Sequence, residues 1–326
     1  MNVQLKQDGY FKDDGADNFG SDVLKGLSAH PKKLSSKYFY DKAGDRLFQQ
    51  IMAMPEYYLT NCELDIFQNK TEELAKAISN INESFDLIEL GAGDAMKSSY
   101  LLRNLVEKGT AFTYMPIDIS GNILSVLQEN LKKKLPELEI LPLEGEYFDM
   151  LDKATGISKR KKVVLFLGGN IGNMESEEAR HFCSEVKRKL NAGDLFLVGF
   201  DLKKNPKTIL AAYNDPAGIT ASFNLNLLTR INRELKADFK VENFQHYQNY
   251  DPVSGACRSF LVSLCDQEVH VGNHLFQFKK DELIDMEISQ KFSEEDIKKL
   301  AGYSGFHILV EIKDTKNWFV DSIWMV

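Results

Sequence analysis

Two glycines set two residues apart begin the part of the chain where residue types suggest chemistry. In Glu89-Leu90-Gly91-Ala92-Gly93 the missing Cβ atoms let the backbone approach a ligand. A helix starting just beyond would add unpaired N–H groups. The third glycine of a dinucleotide fingerprint is absent, Met96 and Lys97 falling there. The turn therefore points away from a pyrophosphate and towards a nucleoside that lacks one. Asp118 stands about 25 residues further on, where a carboxylate can accept from both ribose hydroxyls; it can also serve as a helix N-terminal carboxylate ahead of Ser120. Glu146-Tyr147 offers an acid for an exocyclic amine beside a ring for adenine, or simply a solvated loop. Gly168-Gly169-Asn170-Ile171-Gly172-Asn173 has the small and amide residues of backbone exposed to a ligand.

These residues need elements to position them. Phe85 to Leu90 reads as a strand, Lys97 to Val106 as a helix with Leu101, Leu102 and Leu105 on one face, and Phe112 to Ile117 as a second strand ending at Asp118. Ser120 can cap the next helix, whose apolar positions are Ile123, Leu124, Leu127 and Leu131. A third strand is expected over Glu139 to Leu143 and a fourth over Lys162 to Leu167, the latter apolar enough for the centre of a parallel sheet. A helix over Glu177 to Leu190 and a strand over Leu195 to Gly199 follow. Strands alternating with helices predict an α/β, doubly wound parallel sheet. Ligands in such sheets sit at the carboxyl ends of the strands, where all the residues above fall.

Ser293-Glu294-Glu295-Asp296 predicts a capping box. His307 to Ile312 and Trp318 to Val326 then read as a β-hairpin added to the sheet. Nicotinamide-binding Rossmann domains do not require that ending, whereas Rossmann-like methyltransferase domains usually carry it. The Asx-Pro-Pro-aromatic motif of enzymes that methylate base amines is missing after the fourth strand, and Asn205-Pro206 reads as an ordinary turn.

Two blocks remain, residues 1–62, with aromatic clusters at Tyr38-Phe39-Tyr40 and Tyr57-Tyr58, and 204–290, with a helix over Thr220 to Leu235. They are expected to pair into a second, α+β substrate-binding and capping domain. The S-adenosylmethionine (SAM)-binding domain would then comprise 63–203 and 291–326.

The chain has 326 residues, enough for two domains, and 43% hydrophobic residues, enough for a sizeable core. Only the polar stretch Gln7 to Gly20 suggests disorder. No apolar run follows Met1 and none approaches about 18 residues, so neither a secretory signal nor a membrane span is expected. The net charge of −8 argues against a nucleic-acid partner. Lys132-Lys133-Lys134 ends a helix and complements its dipole, and Lys159 to Lys162 is placed in a solvated loop. Cys62, Cys183, Cys257 and Cys265 are scattered thiols suited to a reducing cytoplasm, and no metal ligand spacing is present. A monomer is the default state.

A series of blocks occurs in order from about Pro31 onward. They are Lys37-Tyr38-Phe39-Tyr40-Asp41, Leu47-Phe48-Gln49-Gln50-Ile51, Pro55-Glu56-Tyr57-Tyr58, Glu89-Leu90-Gly91, Phe166-Leu167-Gly168, Ile171-Gly172-Asn173, Ala212-Tyr213-Asn214-Asp215, Gly218-Ile219-Thr220-Ala221, Asn232-Arg233-Glu234-Leu235 and Glu287-Ile288-Ser289-Gln290-Lys291-Phe292. In these the chain resembles the histidine-specific Nα-methyltransferases of ergothioneine biosynthesis, and the wider family that includes fungal dimethylallyltryptophan N-methyltransferases.

The resemblance implies a SAM-dependent transfer to the α-amino group of a free amino acid, histidine first, without a metal and with S-adenosyl-L-homocysteine as product. It implies that Tyr40, Gly91, Lys97, Asp118, Glu146 and Tyr147 contact the cofactor. It also implies that Tyr57, Gly168, Asn173 and Tyr213 belong to the acceptor site, with Tyr57, Asn173 and Tyr213 on the amino and carboxylate groups and Glu287 and Ser289 on the imidazole. Tyr57 and Tyr213 are the candidate catalytic residues, as orienting hydroxyls rather than strong bases. Glu287 and Ser289 are two apart in a strand and so share a face. Glu146 and Tyr147 replace an Asp and a Phe of the family, keeping acid and aromatic character. Ser259 stands where the histidine enzyme has methionine, which leaves a tryptophan-like or other amino acid open as acceptor. A module that binds SAM or an amino acid without turnover is the alternative outside enzymes.

Overall fold

The computed structural model describes residues 18–79 and 84–326. Most of the stretch expected to be disordered, Gln7 to Gly20, lies outside the described residues. The chain divides into two compact units. One comprises Met1–Ile51, Asn214–Gln248 and Arg258–Glu287; the other comprises Met52–Tyr213, Asn249–Cys257 and Ile288–Val326. The boundaries read from the sequence, 62/63 and 203/204, lie some residues from this division. The helix Tyr58–Asn69 goes with the larger unit because its side chains reach that unit's sheet: the Tyr58 hydroxyl donates to Asp201 at 2.8 Å.

The larger unit is built on an eight-stranded sheet. Its order is His307–Lys313, Phe319–Met325, Leu195–Asp201, Lys161–Phe166, Phe85–Leu90, Phe112–Asp118, Glu139–Ile140, with Leu143–Glu144 also pairing Phe112–Asp118. The strands from Leu195–Asp201 to Glu139–Ile140 are parallel, and the final hairpin is antiparallel, Phe319 pairing with Asp201 and Met325 with Leu195. The fold is therefore the α/β sheet with a terminal hairpin that the sequence predicts. Phe85–Leu90 has the next strand on one side and Lys161–Phe166 on the other. That reversal of direction opens a crevice at the carboxyl ends.

Alternation along the strands sorts the core onto two faces. Leu87, Val163, Leu165, Leu197 and Ile323 join one cluster. Ile88, Val164, Phe166, Phe196 and Trp324 join the other. Local signals set the flanking helices. The Ser120 hydroxyl accepts from the Ile123 N–H at 3.3 Å, opening Gly121–Lys134, and Ser293 with Asp296 forms the expected capping box of Glu294–Tyr303.

Four sequence readings are corrected. The expected third strand is two short ones, Glu139–Ile140 and Leu143–Glu144, because Pro142 lacks the N–H to continue the ladder. Asn205-Pro206 is not an isolated turn: Pro206 opens the helix Pro206–Tyr213, a position that needs no N–H. Ile123 faces outward at 39% exposure while Leu124, Leu127 and Leu131 are buried. Lys162 is not solvated but buried at 2% exposure, its ammonium donating to Asp86 at 2.8 Å and to the Ser158 and Arg160 carbonyls.

The smaller unit has helices Phe19–Ser28 and Ile219–Leu235, most of Lys42–Ala53, and a sheet in the order Lys32–Lys33, Leu283–Gln290, Ala256–Ser263, Phe244–Tyr250, plus the hairpin Gln267–Val271 and His274–Phe278. This α+β unit explains several of the quoted blocks structurally. Asp215 accepts from the Ile219 and Thr220 N–H groups at 2.8 Å, starting the long helix. Asn232 brackets the Phe239 backbone through both side-chain atoms. Asp41 accepts from Gly44, Asn226 and Arg233; these bonds outweigh its burial and hold the carboxyl down to about 2.

Candidate active site

The glycine turn after Phe85–Leu90 has left-handed backbone at Gly91 (φ +68°) and Gly93 (φ +53°), conformations that favour glycine. A Cβ on Gly91 would lie 2.7 Å from the Tyr147 hydroxyl, whereas one on Gly93 would meet nothing within 4 Å. Gly91 is thus fixed by its neighbour and Gly93 faces open space. Asp118 closes the turn: Oδ2 accepts from the Gly93 N–H at 3.2 Å and Oδ1 from the Ser120 N–H at 3.0 Å. A carboxylate has further lone pairs, so these bonds leave capacity for two hydroxyls. Tyr147 opens the helix Tyr147–Ile157, its ring edge-on to Phe166 at 6.0 Å. Burial, then the Asp118 and Glu146 charges, push its phenol up to about 12, so it stays a neutral hydroxyl. Glu146 precedes that helix, exposed, its side chain not engaged in capping. The unit therefore brings Gly91, Asp118, Glu146 and Tyr147 to one end of the sheet, a set that fits an adenosine.

Beneath the turn Glu89 is 4% exposed and accepts from the Tyr114 hydroxyl at 2.5 Å. Burial lifts its carboxyl to about 7, against the opposing Tyr114 hydrogen bond. An unfolded Glu titrates near 4.3. Between about pH 4.3 and 7 the folded state holds the proton more tightly, so stability falls as pH rises, by about 3–4 kcal/mol for this group. Glu89→Gln is expected to remove that slope. Urea unfolding of both proteins at pH 5 and pH 8 measures it, and parallel pH dependences would refute the assignment.

Lys97, the residue before the helix Ser98–Glu107, forms an ion pair with Glu63. Glu63 in turn accepts the Gly168 N–H on both oxygens, at 2.8 and 2.9 Å. The pair pins the loop after the fourth strand to the helix Tyr58–Asn69. Gly168 and Gly169 are both left-handed there (φ +82° and +69°), and Asn173 ends the short 3-10 helix Asn170–Asn173, exposed.

A second cluster gathers three of the candidate acceptor residues, Tyr57, Tyr213 and Ser289. The Tyr57 ring stands edge-on to Tyr213 at 6.2 Å. The Tyr213 hydroxyl lies 2.7 Å from the Ser289 hydroxyl, and both are buried, at 7% and 8% exposure. Lys291, fully buried, donates to both hydroxyls and pairs with Asp201 at 2.8 Å. Asp201 also accepts from Tyr58 and forms an ion pair with Lys204. The smaller unit holds Tyr40, 46% exposed with its ring edge-on to Phe48 and Phe223, together with Ser259, 3% exposed, and half-buried Glu287. Among the described residues no group of three or more His, Cys, Asp or Glu is placed to hold a metal ion, and no helix is long and apolar enough to cross a membrane.

Comparison with known proteins decides the family. The profile of the histidine-specific, SAM-dependent methyltransferases matches residues 19–326. The chain belongs to that family. It is 33% identical to histidine N-alpha-methyltransferase of Mycobacterium tuberculosis over 88% of each chain, and 33% identical to the enzyme of that name from Mycolicibacterium smegmatis over 87% of this chain and 88% of that one. It is 28% identical to ergothioneine biosynthesis protein 1 of Schizosaccharomyces pombe over 87% of this chain and 37% of that longer one.

As a SAM-dependent methyltransferase the protein carries buried residues that sequence reading did not select. Glu63 and Lys291 both lie within or beside helical or strand patterns that look unremarkable by composition. Their partners are far off in sequence: Gly168 for Glu63, and Asp201 and Tyr213 for Lys291. No local signal marks Lys291, which stands among Glu287, Ser289, Gln290, Ser293 and Glu294 in a stretch that reads as polar.

Proposed function

We propose that this methyltransferase carries methyl groups from SAM to the α-amino nitrogen of free L-histidine, ending at the Nα-trimethyl betaine. The reading is carried by the Tyr57, Tyr213 and Ser289 cluster, held in the same unit as the glycine turn and Asp118. Family membership and the identity to proteins named for histidine supply the substrate. Tyr40, Gly91, Lys97, Asp118, Glu146 and Tyr147 would hold the cofactor. Tyr57, Gly168, Asn173 and Tyr213 would hold the amino acid's backbone groups, and Glu287 and Ser289 its imidazole. In domain terms the sheet unit would be the SAM-binding domain and the smaller α+β unit the substrate-binding domain.

Bound SAM supplies an electrophilic methyl group on a sulfonium. The chain's part is to hold the amine lone pair in line with it and to disfavour the amine's proton, since a free α-amine is largely protonated at neutral pH. Tyr57 orients the nitrogen and Tyr213 the carboxylate through their hydroxyls, and the proton leaves through water. Their aromatic faces also tolerate the cationic product. The acceptor is a small molecule; the net charge of −8 does not suit nucleic acid. A monomer in the cytoplasm suits four free cysteines.

Ser259 favours one second reading, a larger or more polar side chain than imidazole. The deciding experiment incubates the enzyme with SAM and an equimolar mixture of the twenty amino acids and reads masses. Histidine gaining one to three methyl groups alone is the expected result. An unchanged histidine beside another methylated amino acid would move the assignment to that acceptor.

A further inference from the structure

Lys291 follows Gln290 at the end of the strand Leu283–Gln290, and its ammonium meets three oxygens: Asp201 Oδ2 at 2.8 Å, the Tyr213 hydroxyl at 2.7 Å and the Ser289 hydroxyl at 2.8 Å. An ammonium has three hydrogens and no lone pair. Each hydrogen therefore has its own oxygen, and both hydroxyls act as acceptors towards Lys291. The two hydroxyls are also 2.7 Å from each other, so one donates to the other. They carry two hydrogens between them. One lies in their mutual bond, and at most one is left for anything else. When Tyr213 donates outward, Ser289 must donate to Tyr213 and offers only a lone pair. When Ser289 donates outward, Tyr213 is the one left accepting.

We propose that Lys291 is a positioning residue that couples Tyr213 to Ser289 and thereby sets acceptor specificity. The proposal rests on the reading that these two hydroxyls face the acceptor amino acid. A substrate carboxylate draws the spare hydrogen to Tyr213. Ser289 then presents a lone pair, and the substrate side chain must bring an N–H to meet it. An imidazole does so, and a phenyl ring leaves a buried acceptor unpaired, which costs binding. Asp201 anchors the device, because a fixed carboxylate keeps one ammonium hydrogen and so aims the other two. Its second cation, Lys204, and the donor Tyr58 remain when Lys291 is replaced, so Lys291→Met does not strand the carboxylate.

The test is calorimetric binding of L-histidine and L-phenylalanine to the full chain saturated with S-adenosylhomocysteine, for the wild type, Lys291→Met, Ser289→Ala and the double variant. S-adenosylhomocysteine affinity is expected to be unchanged in all four. Histidine should weaken about tenfold in Lys291→Met, the loss of charge-assisted hydrogen bonds. In the Ser289→Ala background the same change should cost less than about twofold more, because the coupling is already gone. Full additivity, or no effect of Lys291→Met, overturns the coupling while leaving the proposed reaction standing. A wild type that binds neither histidine nor any other amino acid overturns the reading itself, and the coupling with it. Should Lys291→Met fail to bind S-adenosylhomocysteine, Ser289→Ala carries the test. The preference for histidine over phenylalanine should then shrink about tenfold, and an unchanged preference refutes the device.

Discussion

Replacing Glu63 with Ala is expected to lower the free energy of unfolding by about 3 kcal/mol, the cost of removing one partner from a buried ion pair. The Glu63 side chain is 1% exposed and that of its partner Lys97 19%, so the stranded ammonium has little water to turn to. The Gly168 N–H loses its acceptor at the same moment. The surroundings are shaped for this carboxylate: a Cβ on Gly199 would come within 2.4 Å of Glu63 Oε1. Directly opposite Gly199 in the sheet lies Asp321, fully buried, neither carboxyl oxygen having a hydrogen-bond partner among the described residues. Burial and then the Glu63 charge hold its carboxyl well above the usual range. Removing Glu63 removes the second of those causes and leaves Lys97 without its carboxylate, so the Asp321 carboxyl should titrate lower than in the wild type. Asp321→Asn should therefore cost more stability in the Glu63→Ala background than in the wild type. Urea denaturation of the four proteins at pH 7 measures this. Equal effects of Asp321→Asn in both backgrounds would exclude the substitution of one acid for the other.

Glu287→Ala is expected to lower kcat/KM for histidine by about a hundredfold or more, while S-adenosylhomocysteine binding stays within about twofold. A charged hydrogen bond to a substrate nitrogen is worth about 1.5–3 kcal/mol, and a site built around such a group discriminates more strongly than an apolar pocket. Glu287 lies in the strand Leu283–Gln290 two residues before Ser289, so the two side chains leave the strand on the same side. Glu287→Gln keeps an acceptor oxygen and should recover part of the loss. Methyl transfer and calorimetry are read on the same preparations. Parallel losses of turnover and cofactor binding would show a structural role for Glu287 instead.

The fold was legible wherever a single stretch of chain carries its own signal. Phe85–Leu90 is found to the residue, and the Ser120 and Ser293 caps bond as their spacing predicts, because a cap is a contact between near neighbours. The glycine turn and Asp118 were read as neighbours for a related reason: a glycine turn and an acid at the next strand end occupy fixed places in any doubly wound sheet. The buried charges were not. Lys162 looked like part of a solvated basic run because its partner Asp86 lies on a different strand. Glu63 looked like any helical acid because Gly168 and Lys97 come to it only in the fold. Pairings of that kind follow from sheet order, which alternating hydrophobicity does not encode. Roles for Tyr40 and Glu287 came from resemblance and not from pattern.

The strand Phe319–Met325 lies inside the sheet, yet its neighbour Leu195–Asp201 precedes it by everything from Leu202 to Trp318. Closing a loop of that length costs about 4 kcal/mol in chain entropy before any pairing repays it. The parallel strands on the other side of Lys161–Phe166 close over much shorter spans. The parallel half of the sheet is therefore free to assemble first, and the hairpin docks last, as expected of non-local topology. Until it does, Phe196 and Phe200, which pack on Trp324 in the finished molecule, lie bare beside an unpaired strand edge. Refolding at high concentration is then a race between docking of the chain's own hairpin and capture of that edge by another molecule.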